Sequence, residues 1–354
     1  MINFGNVLRD HGVGLGKYKT NSKIYYKDLG IDTPSVNLVN TTIFYATVAS
    51  KDASGNIYLK AGNRIRKYDG SDLSLIWDRT YTISDLTSYS SSDDKYHSMY
   101  IIGNRLYTCI YNGASRGSKI PSVVFCINIA NGALDWYLIE PTSAYERWMI
   151  ACIPVPNEID NFYLSWKKLG TYYHYVEKVK LETNSGNILD KQIKNIIWSK
   201  ELYNYNNIPP ALTLTYDNQL IYNDNSTMRR VNSSGTQMDY LDDAYGLYYR
   251  AADKFVMTQS GTKVDTTTYL RKITKFGADE VLDVTDSNIY YGIHPNGTLY
   301  PVKASHITGT REWLLPYDLK LVQELNPELI IGYQRVDNSN DAVGKILEYM
   351  TIKK

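Results

Sequence analysis

Cysteine is scarce in this chain. The three present, Cys109, Cys126 and Cys152, sit in apolar runs (LYTCIY, VVFCIN, MIACIP) with no regular spacing. An odd, irregular set excludes a disulfide framework and points to small buried core residues. No run approaches the roughly 20 apolar residues of a membrane-spanning helix, so no membrane span is expected. The opening MINFGNVLRDHGVGLGKYK has no apolar stretch of the kind a secretory leader needs. The chain is therefore expected to be made in a reducing cytoplasm. Charge of either sign is also not in excess: 38 basic residues face 37 acidic ones, a net of +1. Nucleic-acid binders usually carry a basic surplus, so no nucleic acid is expected as a partner.

Catalytic signatures are missing as well. GVGLGK (12–17) is not a phosphate loop, because its spacing is wrong and no Ser or Thr follows Lys17. His11, His97, His174, His294 and His306 show no metal-ligand spacing with one another or with Cys or carboxylates. Gly-x-Ser-x-Gly occurs at 113–117 (GASRG), inside a stretch read below as an irregular insertion and not between the strand and helix that a nucleophile elbow requires. Asp52, Asp160, Asp217, Asp253 and Glu328 recur just ahead of a strand. That recurrence is a turn signature, since Asp accepts hydrogen bonds from backbone two residues on. A paired-carboxylate glycosidase site is the less favoured reading. The expectations are no enzyme, no cofactor and no metal.

What is abundant is tyrosine, 33 residues of 354. Tyr suits half-buried pleated surfaces, and where exposed it offers an apolar ring with a polar tip. Strand-like segments recur throughout. A turn followed by a short apolar strand appears seven times: SGNIYLKA (54–61), GNRLYTCIY (103–111), DNFYLSW (160–166), DNQLIYN (217–223), DKFVMTQ (253–259), NGTLYPV (296–302) and PELIIGY (327–333). Their mean spacing is near the roughly 40–50 residues of a four-stranded blade. Each is preceded by an apolar strand. The first six are followed by strand, Gly-containing turn, strand, as in RIRKYDGSDLSLIW (64–77) and VFCINIANGALDW (124–136). Gly70, Gly132, Gly186, Gly235, Gly277 and Gly309 mark the turns, where tight hairpins need positive φ.

These units resemble the repeat of quinoprotein-like and, more distantly, WD-like β-propellers. NIANGALDW (128–136) is similar to the Asp-x-x-Thr-Gly-x-x-x-Trp turn of the first family, and GSDLSLIW (70–77) and GTREW (309–313) also end in Trp. The resemblance implies that Trp77, Trp136 and Trp313 pack between blades. It implies a fold and no activity. SKDASGNIY (50–58) is similar to the Asp-box turn of sialidase-type propellers, with one extra residue and no Trp. The expected fold is all-β: a seven-bladed β-propeller of four-stranded antiparallel blades. The N-terminal strand KIYYKDLGI (23–31) is expected to close the last blade beside GKILEYMTIKK (344–354). Residues 1–20 are expected to form an extended arm and 21–354 a single domain.

Two stretches exceed what hairpins need. GASRGSKIPS (113–122) carries Arg116 and Lys119. Residues 191–209, read as a loop or short helix, carry Trp198, Tyr203 and Tyr205. Long loops in compact domains often bind, so these five residues are the candidate partner-binding set, with the N-terminal arm as a second docking element. Tyr172, Tyr173 and Tyr175 form another aromatic cluster, while Tyr248–Tyr249 and Tyr290–Tyr291 are adjacent pairs of which one member should face the core. The function these features imply is a non-enzymatic structural or interaction protein, a bacteriophage virion component of the tail, baseplate or receptor-binding apparatus. Its expected partners are other virion proteins and a cell-surface glycan, and its expected place is the virion. A carbohydrate-binding or carbohydrate-active protein and a cytoplasmic interaction scaffold are the alternatives.

Overall fold

The computed structural model describes residues 35–43, 48–72, 74–82, 99–110, 122–139, 147–168, 171–203, 212–215, 217–224, 227–242, 248–251, 255–258, 261–276, 278, 280–285, 287–293, 300–314, 319–326, 329–334 and 346–353. Every regular element among them is a strand. In chain order they are Ser35–Ile43 (β1), Val48–Lys51 (β2), Ile57–Ala61 (β3), Arg64–Tyr68 (β4), Leu75–Thr80 (β5), Met99–Ile102 (β6), Arg105–Ile110 (β7), Val123–Asn128 (β8), Leu134–Ile139 (β9) and Arg147–Pro154 (β10). Asn161–Lys168 (β11), Tyr173–Asn184 (β12), Asn187–Tyr203 (β13), Leu212–Leu214 (β14), Leu220–Asp224 (β15), Thr227–Val231 (β16), Gln237–Leu241 (β17), Tyr248–Ala251 (β18), Phe255–Thr258 (β19) and Thr262–Asp265 (β20) follow. The last are Arg271–Lys275 (β21), Glu280–Val284 (β22), Asn288–Ile293 (β23), Tyr300–Ser305 (β24), Arg311–Leu314 (β25), Leu319–Asn326 (β26), Leu329–Gln334 (β27) and Ile346–Lys353 (β28).

The described residues are all-β, but the expected seven-bladed propeller of separate four-stranded blades is not what forms. Among them there are six sheets. Five have four strands: β2–β5, β14–β17, β18–β21 and β22–β25, each in chain order, and β26-β27-β28-β1. The sixth has eight strands, ordered β10-β11-β12-β13-β9-β8-β7-β6. It is mixed, because β13 runs parallel to β9 at Asp190–Tyr137 and Lys191–Leu138. The physical reason is the length of the β12–β13 hairpin. Residues 191–203, read from sequence as loop or helix, continue a 17-residue strand, and that strand reaches the outer edge of β9. The strand that pairs with β28 is β1, in register from Ser35–Lys353 to Ile43–Ile346. Residues 23–31, named for that role, and the arm 1–20 lie outside the described residues.

Two compact units divide the chain: 1–45 with 257–264 and 272–354, and 46–256 with 265–271. In the second unit the sheets share apolar cores pairwise. One core draws Tyr58, Ile65 and Trp77 from β2–β5 and Leu106, Ile110, Val123, Phe125 and Ile127 from β6–β9. Another joins Cys109, Cys126 and Trp136 to Cys152, Phe162, Leu164 and Trp166. A third joins Tyr163 and Val176 to Leu220, Tyr222 and Val231. Second strands such as β7 and β11 are buried on both faces, which is why they read as unbroken apolar runs. Fourth strands such as β5 and β17 are largely exposed. All three cysteines are buried and unpaired with one another as disulfides.

A repeated device links successive sheets. At the end of the third strand or just past it, an Asp, Asn or Ser side chain accepts the backbone N–H two residues on: Asp69 from Ser71, Asn128 from Ala130, Asn232 from Ser234, Asp265 from Thr267 and Ser305 from Ile307. Two residues before three of these, Asp69, Asn232 and Asp265, stands a cation that reaches the corresponding turn of the next sheet. Lys67 Nζ donates to the Ile129 carbonyl at 3.0 Å, and Lys263 Nζ to that of His306 at 3.0 Å. Arg230 donates to the carbonyls of Thr266 and Thr268. On the longer β12, Lys178 Nζ does the same to Ser233 at 2.9 Å. The donated hydrogen bond satisfies both the buried ammonium and the turn carbonyl, which would each be costly alone.

A Trp opposite the Lys completes the device. Trp77 pairs across from Lys67 and Trp198 from Lys178. The indole N–H of Trp77 donates to the same Ile129 carbonyl (3.2 Å), and that of Trp198 to Ser233 (3.1 Å). Each ring lies on a turn glycine. A Cβ on Gly132 (φ +71°) would fall 2.9 Å from the Trp77 ring, and one on Gly235 (φ +80°) 2.8 Å from Trp198. Trp77 thus packs between sheets, as the resemblance implied. Gly70 and Gly186 depart from the expectation. Neither φ is positive, and at Gly70 glycine is needed because a Cβ would strike the Gly55 carbonyl oxygen.

The copies also shift in register late in the chain. LRKITKFGADEVLDV was expected to be one hairpin turning at Gly277. Instead β21 ends one sheet and β22 begins the next. The true hairpin turn at 265–270 contains no glycine. It is closed by Asp265, which accepts from the Thr267 N–H and hydroxyl.

Candidate binding face

Of the five residues singled out as partner-binding, Arg116, Lys119 and Tyr205 lie outside the described residues. Trp198 is half-buried, and its ring is occupied by the Gly235 turn and by Tyr163, 5.8 Å away. Tyr203 is 41% exposed, and around it the structure gathers an aromatic strip.

The strip arises from strand alternation on β11, β12 and β13. Register places Tyr173 opposite Tyr203, Tyr175 opposite Glu201 and Glu177 opposite Ser199, while Trp166 of β11 pairs with Tyr175. With period 2, all of these share one sheet face. The Tyr173 and Tyr203 rings meet edge to face at 5.3 Å and 64°, and Tyr172, at the entry to β12, meets Tyr203 at 6.2 Å and 66°. Tyr172 and Tyr173 are 47% and 39% exposed. Such edge-to-face pairs add about 0.5–1.5 kcal/mol beyond area burial.

Behind the exposed rings lies a fixed base. Tyr175 stacks on Trp166 at 4.1 Å and 12°. The buried Trp166 indole donates to Glu177 Oε2 at 2.9 Å, and the Ser199 hydroxyl to Glu177 Oε1 at 3.0 Å. The Tyr175 hydroxyl donates to Glu201 Oε2 at 2.7 Å. Burial, and then the Glu201 carboxylate, push the Tyr175 phenol up to about 12, so it is a donor throughout the neutral range.

Other clusters are closed by comparison. Asp52 accepts the N–H groups of Ser54 and Asn56, the Asn56 amide and the Tyr58 hydroxyl. Burial acts to raise its pKa, yet these hydrogen bonds and the Lys67 charge outweigh it and hold the carboxyl below its ordinary value. It is a turn staple. Asp217 serves likewise, bonded by the Thr215 hydroxyl, and Asp253 and Glu328 lie outside the described residues. Glu324 accepts from Asn288 (3.0 Å) and from the Tyr290 hydroxyl, and all three are buried. Tyr290 and Tyr291 are both fully buried, where one of the pair was expected at the surface. His174 and His306 are buried, and among the described residues no group of three or more His, Cys, Asp or Glu is placed to hold a metal.

Reading the sequence joined Tyr172, Tyr173 and Tyr175 but did not join them to Tyr203, and it missed Trp166, Glu177 and Glu201. The i, i+2 spacing of Tyr173, Tyr175 and Glu177 was the available signal on β12. Their cross-strand neighbours depend on a register that only the pairing reveals. No helix among the described residues is long and apolar enough to cross a membrane. No family model matches the chain, and no curated protein is detectably similar to it in sequence.

Proposed function

We propose that this chain is a non-enzymatic interaction scaffold whose docking face is the Tyr172–Tyr173–Tyr203 strip, working as a bacteriophage virion component. The observation that supports the docking face is the combination of three exposed rings with a locked base. Exposed tyrosines on a rigid support lose little conformational entropy on binding and are favoured at recognition hot spots. The balanced charge and the lack of a catalytic constellation in the sequence favour binding over chemistry.

The test has two readouts. Particles purified from the source culture are analysed for this chain by mass spectrometry, and its absence from them removes the virion setting. The triple variant Tyr172→Ala, Tyr173→Ala, Tyr203→Ala is then assayed for capture of particle proteins and for attachment to the host-cell surface. The expected result is at least a tenfold loss of one of the two, with a change in Tm of less than a few degrees. Unchanged capture and unchanged attachment by a folded triple variant remove the docking face.

A further inference from the structure

We infer that the ligand of the tyrosine strip is an uncharged glycan chain. The inference rests on the reading of the strip as a docking face and names what docks there. Sugar rings present apolar C–H faces edged by hydroxyls. A surface that recognises them needs exposed aromatic faces with hydrogen-bonding groups set between the rings, and no strong field of either sign.

The strip supplies all three. Its rings are tilted by 64° and 66° to one another, so they form a stepped surface of aromatic faces, each ending in a hydroxyl. Glu201 sits one strand step from Tyr203 on the same face. Its Oε2 is held by Tyr175, while its Oε1 accepts no hydrogen bond among the described residues. A carboxylate oxygen is a strong acceptor for a ligand hydroxyl. This one is prepositioned through Tyr175, Trp166, Glu177 and Ser199 in sequence. Prior fixing of the acceptor reduces what binding must order.

Charge and composition favour an uncharged, hydroxyl-rich occupant. Besides exposed Glu201, the face carries the half-buried Lys168, two positions beyond Trp166 on β11, and the register places Arg147 of β10 opposite Lys168. Glu177 is buried with both oxygens occupied. Among the described residues two carboxylates therefore stand against two cations, a balance that leaves no strong field for a polyanion. Within 171–175 and 199–203 the exposed or half-exposed side chains are Thr171, Tyr172, Tyr173, Tyr175, Ser199, Lys200, Glu201 and Tyr203, with no exposed aliphatic residue among them. Phenols and polar groups without aliphatic carbon match the hydroxyl-edged faces of sugars, and because tyrosine also serves protein interfaces, a protein occupant is the outcome that the assays below separate.

The full chain is applied to an array of neutral and acidic oligosaccharides, and the strongest neutral hit is titrated calorimetrically. Expected are neutral hits that weaken at least tenfold in Tyr203→Ala and in Glu201→Gln, while Tyr203→Phe, which keeps the ring, retains more affinity than Tyr203→Ala. Thermal melts of all variants should match the parent. Binding confined to acidic glycans, neutral hits unchanged by the variants, or no hits at all would each overturn the glycan assignment. If strip variants lose particle proteins in the preceding assay while no glycan binds, the docking face stands and its occupant is a protein. If neither activity depends on the strip, both readings fall.

Discussion

Lys67 with Trp77 and Cys126 with Trp136 occupy equivalent places in adjoining sheets. Both stand two residues before the Asx turn, at Asp69 and Asn128, and both pair across to a Trp on the fourth strand. Their outcomes differ. Lys67 is drawn out to the next sheet's turn and donates to a carbonyl there. Cys126 has no such reach and stays in a core with Cys109 and Cys152. At this place the turn of the next sheet is carried outward by the long β12–β13 hairpin, and β13 joins β9 directly. Two ways of joining neighbours are therefore used. A cation and an indole seize a short turn, whereas an apolar residue is tolerated where backbone pairing takes over the connection. One difference in hairpin length turns two sheets into one sheet of eight strands.

The sharpest way to break this comparison is to exchange the two residue types. Cys126→Lys places an ammonium in an apolar core. The expected cost is about 4 kcal/mol or more, enough to unfold many domains, read as a loss of the cooperative melt. Should Cys126→Lys melt as the parent does, the position does not face the core as described. Next in size is the seat of the indole. Gly132→Ala and Gly235→Ala each add a Cβ at positive φ and within 3 Å of a Trp ring. Backbone strain of about 1–2 kcal/mol and overpacking of about 1–3 kcal/mol should add, lowering stability in denaturant titration. Gly309→Ala is the control. It shares the positive φ but meets nothing within 4 Å, so it should lose only the backbone share.

Much of this was legible in the sequence, and its failures have physical causes. The Asx turns and glycines located most hairpins, and six of the seven turn-plus-strand copies overlap the second strands β3, β7, β11, β15, β19 and β27. The sixth in order, NGTLYPV, falls on the third strand β24 instead. The preceding turn at 265–270 uses Asp265 and threonines in place of glycine, so the Gly277 signal shifted the frame by one strand. The eight-stranded sheet was not legible because polar alternation in QIKNIIWSKEL reads equally as a loop. Only the register with β12 reveals it as a strand. The tyrosine strip failed for the same reason: Tyr173 and Tyr203 are 30 positions apart in sequence and adjacent across the ladder.

The smallest expected effect is in pH dependence, and it separates the thiol core from the lysine-linked sheets. Burial pushes the Cys109 and Cys126 thiols up to about 12, from an ordinary value of 9.0. An acid whose folded pKa is raised stabilises the fold below its unfolded pKa. That contribution is lost as pH climbs toward the folded value, because the unfolded chain ionises first. Stability should therefore fall between pH 9 and 10, by about 1 kcal/mol per buried thiol at pH 10. Buried tyrosines, with Tyr163 and Tyr222 also pushed up to about 12 by burial, have the same sign but begin only near pH 10, their ordinary value. Lys167 and Lys263, lowered by burial, have the opposite sign, since their unfolded forms hold the proton longer. The bare slope of the parent therefore mixes terms, and the difference from Cys126→Ala isolates one thiol. Urea midpoints at pH 8, 9 and 10 should converge for the two proteins as pH rises, because the variant has already lost what the parent is losing. A constant gap across that range would mean that Cys126 is not held as a protonated thiol in an apolar core.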